Sequence, residues 1–148
     1  MADVMASLRL SDKDDWATSQ YVFDALDREF HFTLDVCANE KNHKCALYFD
    51  EEKDGLSQEW TGTCWMNPPY GKNIGRWVRK AADSADNGAV VVGLIPNRTD
   101  TKWWLDVMRA SEVRFVRGRL KFGDAESGAP FGSVIAVWGG ARSPVFSN

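Results

Sequence analysis

The chain has 148 residues, 44% of them hydrophobic, and a formal net charge of -3. That is one domain's worth of chain with a real core, leaving no room for a second substrate-reading domain of ordinary size. It contains no run of about 20 apolar residues that would span a membrane. The start, Met1-Ala2-Asp3-Val4, lacks the basic flank and apolar stretch of a signal peptide. Cys37, Cys45 and Cys64 form an odd set without a C-x2-C pair, so they are expected to be reduced and partly buried, which suits a cytoplasmic location. No metal is expected.

In chain order, residues 1–13 are read as a flexible start, 14–138 as a single domain and 139–148 as a tail. Thr18 or Ser19 is placed to cap a helix running to about Arg28, with Val22, Phe23 and Leu26 inward. Residues 30–34 alternate and are aromatic and β-branched, which predicts a strand ending at Asp35. Residues 36–44 form a polar loop too short for a crossover helix, and residues 46–49 are a second short strand ending at Asp50. Residues 62–66 read as a buried strand that runs directly into Asn67, where Pro68 and Pro69 forbid continuation. A helix follows over residues 75–84, with Trp77, Val78 and Ala81 inward. The continuous apolar run 89–95 is the pattern of a central parallel strand. A helix over 101–110, a strand over 112–116, a Gly/Asp/Ser loop over 123–130 and a strand over 133–138 complete the pattern. Strands alternating with helices imply an α/β fold with a mostly parallel sheet, and the last two strands an antiparallel edge hairpin.

Charge is unevenly distributed. Residues 1–66 hold 6 Lys/Arg against 14 Asp/Glu, whereas residues 67–148 hold 12 against 7. A polyanion would meet the second half, where Arg98, Lys102, Arg109, Arg114, Arg117, Arg119 and Lys121 supply cations; the alternative is a solvated basic surface.

The most specific feature is Trp65-Met66-Asn67-Pro68-Pro69-Tyr70-Gly71, at the carboxyl end of a predicted parallel strand, where open α/β sheets place their ligands. An exocyclic amine on an aromatic base is a poor nucleophile because its lone pair is shared with the ring. Two acceptors aimed at its hydrogens favour the tetrahedral geometry needed to attack a methyl group. The side-chain oxygen of Asn67 and the carbonyl of Pro68 supply such a pair. Neither proline has an N–H, so the surface is donor-poor, and both fix φ and hold the oxygens still. Tyr70 offers a flat ring to stack on a planar acceptor, and Gly71 lets the chain turn away. No nucleophile triad is present, and Gly71-Lys72 lacks the glycine-rich stretch of a nucleotide-phosphate loop.

Asn67-Pro68-Pro69-Tyr70 resembles the acceptor motif of class I, S-adenosylmethionine-dependent amino methyltransferases. With Trp16-Ala17-Thr18, Leu34-Asp35-Val36-Cys37-Ala38, Lys53-Asp54-Gly55-Leu56, Arg98-Thr99-Asp100 and Gly118-Arg119-Leu120, the chain resembles, over residues 14–138, the compact DNA N6-adenine methyltransferases of phages and prophages. The resemblance implies a Rossmann-like methyltransferase fold with helices on both faces, S-adenosylmethionine as methyl donor and DNA as partner. No obligate protein partner is evident, and the location implied is the host cytoplasm. It implies catalytic roles for Asn67, Pro68, Pro69 and Tyr70. It also implies donor contacts from Trp16, Thr18, Asp35, Cys37, Ala38, Asp50, Asp54, Leu56 and Asn67, with Glu51 as the alternative to Asp50. DNA contacts fall to Tyr70, Arg98, Lys102 and Arg119, with Thr99-Asp100 lining the cleft. One departure stands out: the turn after Asp35 has no glycine before Asn42, although broader relatives place one there for close backbone approach. The rival readings are a protein-glutamine or RNA guanine-N2 methyltransferase, which shares the acceptor chemistry, and a nucleic-acid-binding module without catalysis.

Overall fold

Side chains on a strand alternate between faces, and this alternation organises the core. A computed structural model of the protein describes residues 20–120 and 131–140. The expectations for residues 1–13, Trp16, Thr18, Lys121, the 123–130 loop and the tail beyond Gly140 lie outside them. Five strands form one sheet: β1 (Leu34–Asp35), β2 (Thr63–Met66), β3 (Val90–Pro96), β4 (Glu112–Phe115) and β5 (Ser133–Trp138), in the order β1-β2-β3-β5-β4. β1, β2 and β3 are parallel, and β5 is antiparallel to both β3 and β4. The sheet is therefore mixed rather than mostly parallel. The last two strands do pair antiparallel, but β5 inserts between β3 and β4, so of these two only β4 lies at an edge.

Helices cover both faces. Helix α1 (Gln20–Phe30) turns Val22, Phe23 and Leu26 onto Trp65, Val92, Leu94, Ile135 and Val137. Helix α2 (Ile74–Asp86) turns Trp77, Val78, Ala81 and Ala82 onto the opposite side chains of the same strands, Cys64, Met66, Val91, Val134 and Ala136. All six residues of β5 are buried, as a strand covered on both faces requires.

Three elements differ from expectation. The first helix continues through Phe30, so the strand predicted over 30–34 shrinks to the pair Leu34–Asp35. His31 stops the helix in the left-handed region at φ 57°, and the Asp27 carboxylate accepts from the Phe32 amide at 2.8 Å. The strand predicted over 46–49 is reduced to one parallel bridge, Asp35 to Tyr48, outside β1. The helix predicted over 101–110 is the single turn α3 (Trp104–Val107). Around it the amides of Trp104, Leu105, Asp106, Arg109 and Ala110 each reach three residues back, the tighter 3₁₀ pattern. Leu105 and Met108 consequently stand 69% and 71% exposed.

Two of the basic residues expected to supply a polyanion surface are engaged internally. Arg109 bonds Asp83, Asp86 and Asp106 at 2.6–2.9 Å and ties α3 to α2. Arg114, on β4, is buried; it grips both oxygens of Glu29 on α1 at 2.8 and 2.6 Å and also bonds Glu112. A buried guanidinium holds its place only while its carboxylates remain, and losing it strands Glu29 and Glu112 against each other. Arg114→Ala is expected to lower the unfolding free energy by about 3 kcal/mol, measured by urea titration with an unchanged slope.

Candidate active site

The carboxyl ends of β1 and β2 open into a cavity of about 470 Å³. Three backbone segments build it, and each has a local reason for its path. The first leaves β1 at Asp35. This carboxylate is only 2% exposed. One oxygen accepts from the Cys37 amide at 3.2 Å and the other from the Lys44 amide at 2.9 Å, so a single side chain closes the loop between them. Within the loop the Asn39 side chain accepts from the Lys41 and Asn42 amides, and Asn42 returns a bond to the Asn39 amide at 2.7 Å. The rings of His43 and Tyr48 stack 4.1 Å apart. The loop then runs back beside β1, with Asp35 N–H donating to Leu47, Phe49 N–H to Asp35 and Ala38 N–H to Phe49.

The second segment is the acidic turn after Phe49. Asp50 accepts from the Lys53 amide at 2.9 Å, and Asp54 takes the left-handed conformation at φ 55°. The turn ends in the 3₁₀ segment Gly55–Ser57, where Trp60 Nε1 donates to the Gly55 carbonyl at 2.8 Å. A Cβ at Gly55 would collide with the carbonyl oxygen of Val36 and crowd the Trp77 ring at 3.1 Å. Gly55 is therefore a glycine that lets a second segment approach the glycine-free β1 turn closely. It comes from the opposing segment rather than from the turn itself.

The third segment is Asn67-Pro68-Pro69, which follows β2 directly. Asn67 is half-buried, Pro68 buried and Pro69 exposed. All three line the cavity, as do Cys37, Ala38, Asp50 and Asp54. Of the other expected site residues, Asp35 and Leu56 lie beside the cavity rather than on its wall. Asp35 is behind the loop it closes, and Leu56 packs on the α2-side core. Tyr70 is half-buried just past the cavity. Its hydroxyl donates to the Leu94 carbonyl at 3.1 Å, and its ring meets Phe131 edge-on at 5.4 Å. Burial pushes that hydroxyl's pKa upward, so it remains a donor. Gly71 turns the chain away at φ 144°. Arg98, Lys102 and Arg119 are exposed, as are Thr99 and Asp100, and none of these lines the cavity. The Arg98 guanidinium lies 5.9 Å from the centre of the Phe131 ring.

Sequence reasoning did not assign Asn42, Lys44, Phe49, Gly55, Trp65 or Trp77 to the site, yet all line the cavity, as does Asn39, which could stand in for the missing glycine of the β1 turn. The turn signal at Asp54-Gly55 and the inward position of Trp77 were legible, but not their convergence. The thiol of Cys37 is pushed up to about 12, first by burial and then by the charges of Asp35 and Glu51, so it presents a neutral wall.

Comparison with known proteins identifies the family of the chain. A family model described as DNA N-6-adenine-methyltransferase (Dam) matches residues 6–145. The chain belongs to this Dam family. It is accordingly an S-adenosylmethionine-dependent enzyme that methylates adenine N6 in DNA. Among its relatives is a DNA N-6-adenine-methyltransferase of Haemophilus phage HP1 (strain HP1c1). That protein is 34% identical over 128 residues, covering 83% of this chain and 74% of the relative. The protein YfdM of Escherichia coli (strain K12) is 32% identical over 65 residues, 38% of this chain and 71% of that one. Family membership removes the glutamine and guanine readings. Among the described residues of this Dam-family chain, no helix is long and apolar enough to cross a membrane.

Burial raises the Asp35 pKa from 3.8 to about 6, against the lowering effect of the Lys44 and Cys37 amides. Between those values the folded chain keeps a proton that the unfolded chain has released. This group's contribution to stability therefore falls as pH rises through that window and is level above it. The pH dependence of the unfolding free energy between about pH 4 and 6 is expected to be less negative in Asp35→Asn than in the wild type, read from denaturant titrations at each pH.

Proposed function

We propose that the cavity at the ends of β1 and β2 holds the methyl donor, and that Asn67 and Pro68 hold the adenine amine at its mouth. The observation that carries this reading is that Asn67, Pro68 and Pro69 share one cavity with Ala38, Asp50 and Asp54. An acceptor motif on a wall unconnected with the β1 turn would have no donor to work with. The fold supports it too. Adding the bridged segment at Tyr48 outside β1 gives a sheet with its parallel strands on one side and an inserted antiparallel strand on the other, the plan of a compact Rossmann-like methyltransferase. Residues 14–138 are read as one such domain.

The cavity fits the donor. Its volume is in the range of pockets that enclose a small ligand. Asp50, Glu51 and Asp54 provide acceptors for hydroxyl and amino hydrogens, while Phe49 provides flat apolar surface backed by the buried Trp65 and Trp77. Asp35 acts as a positioning residue: it fixes the amides of Cys37 and Lys44, and its charge above about pH 6 favours a cation nearby. S-adenosylmethionine supplies an electrophilic methyl group when bound.

The chain's own part is alignment. The Asn67 side-chain oxygen and the Pro68 carbonyl accept the two amine hydrogens and move the nitrogen lone pair out of conjugation. Pre-fixed acceptors of this kind need no reorganisation when charge develops. Tyr70 gives its ring to the base, and that ring is immobilised at both ends, by Leu94 and by Phe131. An adenine in a duplex must leave the stack to reach it. Arg98, beside the same Phe131, is read as a contact to a phosphate flanking the extruded base. Lys102 and Arg119 are read as further phosphate contacts.

Asn67→Ala is expected to lower methyl transfer to adenine by about 100-fold or more, while S-adenosylhomocysteine affinity changes by less than about three-fold. Nucleoside mass spectrometry of the DNA product and calorimetry separate the two effects. Equal loss of both would move Asn67 from the acceptor to the donor side of the reading.

A further inference from the structure

The wall of the cavity carries three carboxylates, from Asp50, Glu51 and Asp54, and one cationic side chain, that of Lys44. These charges are fastened to opposite faces of the sheet. The acidic turn leads into Gly55, which packs on Trp77 of α2. Lys44 is held from the other side, its Nζ donating to Gln20 Oε1 on α1 at 3.2 Å. The cavity therefore crosses the end of the sheet from an acidic rim to a basic one. Lys44 is half-buried. Among the described residues no carboxylate lies within ion-pair distance of its ammonium, which donates to a neutral amide oxygen. The Asp35 carboxylate acts on that ammonium only through space, since its oxygens are taken by the Cys37 and Lys44 amides, and a ligand carboxylate would give the ammonium a direct ion pair.

We propose that Lys44 is the carboxylate-recognition residue of the donor site, which takes the amino-acid end of S-adenosylmethionine at the α1 side. This inference rests on the cavity being the donor site. The backbone of Lys44 already has a separate task, since its amide closes the loop on Asp35. The side chain is therefore free to change without opening the loop, and Gln20 aims the ammonium while it waits. The arrangement also makes the site selective: a nucleoside without the amino-acid carboxylate loses this contact but keeps the acidic and aromatic rim.

The experiment compares two probes by calorimetry. S-adenosylhomocysteine carries the carboxylate, and 5′-methylthioadenosine lacks the whole amino-acid group. Lys44→Met is expected to weaken S-adenosylhomocysteine by about ten-fold or more, to leave methylthioadenosine within about two-fold, and to be largely rescued by Lys44→Arg. Weakening of both probes alike would make Lys44 a structural residue and overturn the proposal. So would unchanged binding of S-adenosylhomocysteine by Lys44→Met while Asp50→Asn weakens it. If neither variant affects S-adenosylhomocysteine, the donor lies elsewhere, and the reading of the cavity fails along with this one.

Discussion

A buried carboxylate with both oxygens committed to backbone amides holds the cavity together. Asp35 sits at the end of β1, and the segments it grips at Cys37 and Lys44 are separated by a polar loop that has little core of its own. Without that grip the loop would keep its Asn39–Asn42 bonds but lose its attachment to the sheet. Burial of the charge is costly, and the raised pKa of the group measures that cost. The cost is tolerated because the same two bonds set the floor on which the opposing turn, at Gly55, comes to rest.

That contact explains how a turn without glycine still permits close approach. Close packing of two backbones requires one of them to lack a Cβ at the point of contact, and it does not matter which. Here Gly55 supplies the gap, facing the Val36 carbonyl, and Trp77 seals it from the α2 side. The first strand thus remains free to use Cys37 and Ala38 as wall, with Cys37 kept as a neutral thiol by its surroundings. A motif described only by its glycines would overlook this solution, because the two residues in contact are 19 positions apart in the chain.

Local signals made much of the architecture legible. The run from Val90 and the run from Ser133 were readable because a strand buried on both faces is apolar throughout, and α2 because its inward residues repeat at helical spacing. The acceptor motif was readable because its chemistry lies in four consecutive residues. What was not legible depends on distant partners. Arg114 looks like a surface cation until Glu29, 85 residues away, is folded onto it. Lys44 and Trp77 belong to unremarkable stretches and become neighbours of one cavity only when the sheet brings them together. The helix predicted after Thr101 carried a plausible apolar pattern, but its turns tighten, and Trp138 takes the Asp106 carbonyl with its indole N–H at 2.8 Å. The insertion of β5 between β3 and β4 likewise follows from pairing, which strand-by-strand patterning does not encode.

The central claim concerns where the methyl donor lies relative to Asn67. Amide resonances followed by NMR during titration with S-adenosylhomocysteine test it directly. The account predicts the largest shifts at Ala38, Asp50, Gly55 and Asn67, with Gly62 and Gly88, at the amino ends of β2 and β3, almost unmoved. Shifts centred on Gly62 and Gly88, with the four cavity amides unchanged, would contradict it.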